Sequence, residues 1–160
     1  MRNTTLCHIE RDGKYLMLHR VKKKNDLNQD KWVGIGGKFE DKESPEDCNR
    51  REVLEETGLS LGECRYCGIV TFISDKWETE YMHIFHSKDF SGEVKECDEG
   101  TLEWVPVSQI YNLPIWVGDK IFLKLIEEGS PFFSLKLEYE GDKLVNAVLN
   151  ERNCLKDYNF

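Results

Sequence analysis

A helix that opens on Ser-Pro and closes on Gly, set just behind a glycine pair, constrains this chain more than any other stretch. In GGKFEDKESPEDCNRREVLEETGL, residues 36–59, Ser44 is a good N-cap and Pro45 suits the first helical position. Asp47 stands at capping-box spacing from Ser44, and Gly58 falls where a left-handed residue ends a helix. These signals predict a helix over residues 45–57, roughly 20 Å long at ~1.5 Å per residue.

Its charges oppose its stability. At ~100° per residue, Glu52, Glu55 and Glu56 share a sector of roughly 100°. Like charges three and four residues apart destabilise a helix by ~0.2–0.5 kcal/mol per pair. Glu46 and Asp47 are favoured by the helix dipole, whereas Glu55 and Glu56 sit in the last turn, where it opposes them. A solvated acidic face would merely tolerate this crowding. A hard cation would convert it into binding: clustered oxygen ligands suit Mg²⁺ or Mn²⁺, which also bridge to phosphates. Gly34, Gly36 and Gly37 beside the helix allow the close backbone approach that such a site needs.

The rest of the chain alternates. TTLCHIE and KYLMLHRV flank Arg11, Asp12 and Gly13 and read as a hairpin. KKKNDLNQDKW reads as a loop, and WVGIGGKF as a strand leaving into a tight turn. RYCGIVTFIS and EYMHIFHSKDF, separated by DKWET, form a second hairpin; VKECDEGTLEWVPV puts an acidic loop before a short strand. Residues 118–127 show the periodicity of a partly buried helix. FFSLKLEYEGDKLVNAVLNE makes a last hairpin turning at Glu140, Gly141 and Asp142, followed by the tail NCLKDYNF, whose order the sequence does not settle. Hairpins with two main helices define an α+β class, helices packed on a mixed sheet, with the strand order open. The 160 residues are read as one domain, with no repeats and no low-complexity linker.

Charge and cysteine content narrow the partners. A net charge of −8 argues against a nucleic-acid polymer, yet not against a small phosphate ligand brought in by a cation. Six cysteines in a chain without a signal peptide's apolar block read as free thiols in the cytosol. No apolar run reaches the roughly 20 residues of a membrane span.

Gly37, Glu43, Arg51, Glu52, Val53, Glu55, Glu56, Gly58 and Leu59 fit the pattern G-x5-E-x7-R-E-U-x-E-E-x-G-U, where U is a bulky aliphatic. All nine fixed positions match over 23 residues, so chance is excluded, and the chain resembles the Nudix hydrolases over most of its length. The resemblance implies an α/β/α sandwich around a mixed β-sheet and divalent-cation-dependent hydrolysis of nucleoside diphosphates linked to another group. It implies Glu52, Glu55 and Glu56 as catalytic metal ligands, with the main-chain carbonyl of Gly36 beside them. Glu52 is alternatively the general base. Arg51 belongs to the same machinery and pairs with Glu43, bracing the loop against the helix; Gly37 and Gly58 are structural in the box. Lys38 would contact a substrate phosphate or a metal-bound carboxylate, and Glu99 in CDEG, next to Asp98, would be a further metal ligand. Mg²⁺ is the implied cofactor, with Mn²⁺ a substitute.

KWVGIGGK, GIVTF, MHIF, CDEG before Trp104, and LPIWVGDKIF resemble the MutT-like members, which remove oxidised purine nucleoside triphosphates such as 8-oxo-dGTP. Carried over, Trp116 would stack on the base, Asp119 would bind its edge and Phe72 would form an apolar wall. The products would be the monophosphate and pyrophosphate. Val33 stands where some purine-reading members have asparagine, and Gly118 stands where a second acid would be. Three other readings remain open: a diphosphate substrate such as ADP-ribose, a nucleotide sugar or a dinucleoside polyphosphate; a non-catalytic nucleotide sensor; and a zinc module on Cys64, Cys67, His83 and His86. The last is weak, because an odd offset along a strand points His83 and His86 to opposite faces.

Overall fold

The first strand, β1 (Arg2–Arg11), organises the chain, because its two edges are claimed by different partners. The computed structural model describes residues 1–21 and 26–158. After β1 come β2 (Lys14–His19), β3 (Trp32–Val33), α1 (Pro45–Thr57), β4 (Ser60–Leu61), β5 (Arg65–Ser74), β6 (Glu80–Ser87) and β7 (Phe90–Ser91). Then follow β8 (Thr101–Pro106), α2 (Val107–Ile110), α3 (Asp119–Glu127), β9 (Phe133–Glu140), β10 (Lys143–Leu149) and β11 (Arg152–Asn153).

The main sheet is mixed, in the order β11-β10-β9-β5-β6-β1-β2-β3, with β8 on β2. β1 runs parallel to β6 and β5 parallel to β9, while the other pairs are antiparallel. The hairpins expected over β5–β6 and β9–β10 form. The first hairpin closes only at Glu10–Tyr15 and Arg11–Lys14. The reason lies in β1's other edge. Thr5 N–H donates to the Gly37 carbonyl at 2.9 Å and Cys7 N–H to the Ile35 carbonyl at 2.6 Å, so the glycine segment occupies the place β2 would have taken. β2 pairs with β8 and β3 instead.

The strand read over WVGIGGKF is correspondingly short: after Val33 it continues only as single bridges, Ile35 to Cys7 and Lys38 to Thr4. The run EYMHIFHSKDF also divides, with Phe90–Ser91 leaving the main sheet to pair with Ser60–Leu61. Of the expected loop over residues 22–32, residues 22–25 lie outside the described residues, as do residues 159–160 of the tail. The described tail folds back as a 3₁₀ turn, Leu155–Asp157, behind the buried Cys154.

Alternation along the strands builds two cores, one on each face. Cys7, Ile9 and Phe85 pack with Val53 of α1 and Leu59, whereas Ile84, Val70 and Phe72 pack with Ile121, Phe122 and Ile126 of α3. His8, between Cys7 and Ile9, meets the Phe122 ring on the α3 side. The result is the three-layer α+β sandwich. α1 is capped as its residues require. Ser44 Oγ accepts from Asp47 N–H at 3.0 Å, Asp47 accepts from Ser44 N–H at 3.1 Å, and Gly58 takes φ 81°. α3 begins at Asp119, one residue later than the periodicity suggests, and lacks a side-chain cap. All six cysteines are free thiols. Among the described residues no helix is long and apolar enough to cross a membrane.

Candidate active site

The glycine segment and α1 are brought together by β1, and that fixes the geometry of the acids. A Cβ on Gly36 would lie 1.7 Å from the Thr5 carbonyl oxygen, so only glycine allows this strand to approach β1. A Cβ on Gly37 would meet the Glu52 carboxylate at 2.5 Å. The Glu52 side chain therefore lies directly against the glycine turn.

The three glutamates of the helix have different surroundings. Glu52 is 15% exposed, and burial raises its carboxyl above the usual range although Arg51 opposes the shift. Glu56 has a buried Oε2 without a hydrogen-bond partner. Burial, then the charges of Glu99 and Glu52, push its carboxyl up to about 9. Glu55 stays 59% exposed.

Arg51 binds most of this region. It donates to both Glu43 oxygens at 2.7 and 2.9 Å, to Glu52 at 2.7 Å, to Glu55 at 3.1 Å and to the Lys38 carbonyl at 3.0 Å. The paired hydrogen bonds to Arg51 hold the Glu43 carboxyl below its ordinary range.

One cleft of ≈ 450 Å³ is lined by Gly36, Gly37, Lys38, Glu52, Glu56 and Glu99 on its acidic part, and by Phe72, Trp116 and Asp119 on its aromatic part. That volume suits a small-molecule ligand. Of the acids named from the sequence, Glu55 and Asp98 do not line it, and neither do Arg51 and Glu43, which act from behind.

Trp116 is almost fully buried, edge-on to Phe72 at 5.1 Å and to Tyr139 at 4.8 Å. The Lys31 ammonium lies 4.6 Å from its ring centroid, so a base stacking on that face must displace it. Asp119 is buried, and that burial pushes its carboxyl up to about 8 against the pull of Lys31. At neutral pH it is a protonated acid, able to donate one hydrogen bond and accept others.

The two departures from the purine-reading pattern have local causes. Val33 is buried and lines the cleft with hydrocarbon. At Gly118 a Cβ would lie 2.6 Å from Leu137 and 2.7 Å from the Tyr139 hydroxyl, which accepts a hydrogen bond from Gly118 N–H at 2.8 Å. An acid at this position would require the ends of Leu137 and Tyr139 to shift.

Three cleft residues escape a reading of the sequence. Arg20 donates to Glu99 at 2.8 Å and to Asp26 at 2.8 Å, and Trp116 Nε1–H donates to Asn28 Oδ1 at 2.8 Å. Arg20 follows the apolar strand β2, and Asp26 and Asn28 lie in a segment whose polarity marks it only as loop. No spacing rule distinguishes them.

A divalent cation fits the acidic part. The donors are oxygens only, and the buried Oε2 of Glu56 lacks a partner that a cation would supply. Among the described residues no three acid, histidine or cysteine side chains stand close enough to hold one as they are; Glu52 is paired with Arg51 and Glu99 with Arg20. The four residues of the zinc reading are scattered. Cys67 packs in the α3-side core and Cys64 against the α1-side core, while His83 faces Tyr66 and Asn3 and His86 faces Glu10.

The fold and the glycine–helix unit define a Nudix domain. The family model described as NUDIX domain matches residues 1–126, and the chain belongs to this family of hydrolases. Among its relatives is an oxidized purine nucleoside triphosphate hydrolase of Danio rerio, 31% identical over 150 residues, covering 92% of this chain and 93% of the relative. The uncharacterized Nudix hydrolase YvcI of Bacillus subtilis is 34% identical over 134 residues, 81% of each chain. A MutT protein from Bacillus halodurans superposes with a TM-score of 0.82 at 27% identity, covering 94% of this chain and 98% of that structure.

Proposed function

We propose that this protein hydrolyses oxidised purine nucleoside triphosphates, such as 8-oxo-dGTP, to the monophosphate and pyrophosphate, using Mg²⁺ or Mn²⁺. The observation that carries the reading is the single cleft shared by Glu52, Glu56 and Glu99 with Phe72, Trp116 and the buried Asp119. An acidic cation site alone would serve any diphosphate. The adjoining aromatic part with a buried protonated carboxyl suits a purine base. The relatives from Danio rerio and Mus musculus, each 31% identical, carry the name oxidized purine nucleoside triphosphate hydrolase and support the choice.

In this reading Glu52, Glu55, Glu56 and Glu99, with the Gly36 carbonyl, hold the cation. A cation there would neutralise phosphate oxygens and make water a nucleophile at neutral pH. Lys38 binds a phosphate oxygen, and Arg51 keeps Glu52 in place by tying the Lys38–Glu43 loop to α1. Phe72 and Trp116 exclude water from the base, while Asp119 holds its edge. These contacts align the triphosphate so that its α–β phosphoanhydride is the bond broken. The whole chain acts as one domain, since both cores share one sheet, and six free thiols suit the cytosol.

Pyrophosphate release from a panel of canonical and oxidised nucleoside triphosphates, ADP-ribose and nucleotide sugars, with and without Mg²⁺, tests the reading. Oxidised purine triphosphates should be cleaved with the highest kcat/KM, and Glu56→Gln should abolish turnover. Cleavage of nucleotide sugars with all triphosphates ignored would overturn the substrate class.

A further inference from the structure

Val33 gives the cleft only a hydrocarbon side chain, yet the cleft carries an amide. Asn28 lines the same cleft from the segment before β3. Its Oδ1 accepts from the Trp116 indole at 2.8 Å. An indole N–H can only donate, so chemistry assigns the oxygen of this amide to Trp116 and leaves the NH₂, a pure donor, for a ligand. Its own backbone N–H is held by Asp26 Oδ1 at 3.2 Å, and Asp26 is in turn held by Arg20 at 2.8 Å. The amide is therefore anchored from both directions and pre-organised, as a residue that discriminates between ligands should be.

We propose that Asn28 is a specificity-determining residue: its Oδ1 sets the plane of Trp116, and its Nδ2 donors select a base whose edge offers an acceptor. The O6 carbonyl of guanine offers an acceptor in the plain base and in the 8-oxidised one, whose N7 carries a hydrogen, whereas adenine presents an exocyclic amino donor in place of that carbonyl. A donor facing that amino group leaves two N–H groups opposed and unpaired, which is where hydrogen-bonding pockets discriminate most. Val33 cannot contribute, having no polar atom. The inference rests on the reading of this cleft as a base site.

Two substitutions separate the two functions of the amide. Asn28→Asp keeps an oxygen for the indole and removes the donors; Asn28→Leu removes both. The readouts are kcat and KM for guanine-type and adenine-type triphosphates, each plain and 8-oxidised, and the Trp116 indole N–H resonance, assigned with Trp116→Phe. In Asn28→Asp the indole resonance should stay hydrogen-bonded. The guanine-over-adenine ratio of kcat/KM should fall about tenfold or more, through KM, with kcat within about twofold. In Asn28→Leu the resonance should move as well. An unchanged ratio in both variants overturns the proposal, and so does loss of the fold in either, which would make Asn28 a structural residue. In those cases a raised KM in Trp116→Ala would leave the base site standing. Failure of the wild type to cleave any triphosphate overturns both readings together.

Discussion

Arg20 donates one hydrogen bond to Glu99 and another to Asp26, both at 2.8 Å, from a side chain only 13% exposed. The guanidinium thus neutralises two carboxylates, of which Glu99 acts directly on Glu56. Replacing it by Met should cost about 1–3 kcal/mol in the metal-free protein, because it strands acids that have lost their partner. With Mg²⁺ present the loss should shrink, since the cation takes over Glu99. Urea denaturation of wild type and Arg20→Met, in EDTA and in saturating Mg²⁺, measures both. A loss that is the same in both conditions would show that Glu99 does not turn to the cation.

Glu56 should couple metal binding to pH. Its carboxyl stands at about 9 because of burial first and the neighbouring acids second, so at neutral pH it carries a proton that a hard cation must displace. Mg²⁺ affinity should then rise by up to about tenfold per pH unit between pH 6 and 9, with proton release on binding. Glu56→Gln should bind weakly, without that slope. Calorimetry in buffers of different ionisation enthalpy checks the released proton. Proton-neutral binding would mean that Glu56 is not a ligand.

Asp119 makes a second pH prediction, on stability. Its folded-state carboxyl, at about 8, lies well above the ordinary aspartate range because burial disfavours the charge. The folded chain therefore holds a proton that the unfolded chain has released. The neutral acid leaves the fold intact below about pH 4, and stability is lost as pH rises from there through about 8, at up to ~1.4 kcal/mol per unit. Asp119→Asn, which keeps shape and polarity without the charge, should flatten its share of that slope. Denaturation midpoints of the two proteins at several pH values between 5 and 8.5, without metal, give the comparison. Parallel curves would mean that Asp119 is ionised in the fold.

Much of this was legible in the sequence, and the reasons are local. Ser44, Pro45, Asp47 and Gly58 are short-range signals, and α1 runs from Pro45 to Thr57 as they require. The β5–β6 and β9–β10 hairpins follow from alternation and turn residues, which are also local. The parallel pairing of β1 with β6 was not legible, because Leu6 and Ile84 meet across 78 residues with no turn between them to announce it. At the site, the family pattern pointed to Glu52, Glu55, Glu56, Glu99, Trp116 and Asp119, all of which but Glu55 line one cleft. Arg20, Asp26 and Asn28 stayed hidden. What singles out the first and last is a partner distant in sequence, Glu99 for the arginine and Trp116 for the asparagine, and Asp26 is bound to both of them.

The adjacent glycines should separate folding from function. A methyl at Gly36 meets the Thr5 backbone oxygen at 1.7 Å and the Thr5 carbonyl carbon at 2.5 Å, so β1 or the glycine segment must shift and the hydrogen bonds between them weaken. Gly36→Ala should cost several kcal/mol, in the range of severe backbone conflicts. A methyl at Gly37 meets only the end of a side chain, the Glu52 carboxylate, which can rotate away. Gly37→Ala should therefore lose little stability, within about 1 kcal/mol, yet displace Glu52 from the glycine turn and from its hydrogen bond with Arg51. Its turnover with Mg²⁺ should fall by at least about tenfold, as expected when a catalytic group is misplaced by an ångström. Urea denaturation ranks the stabilities and pyrophosphate release the activities. A Gly37→Ala protein with full turnover would mean that the position of Glu52 against the glycine turn is immaterial to catalysis.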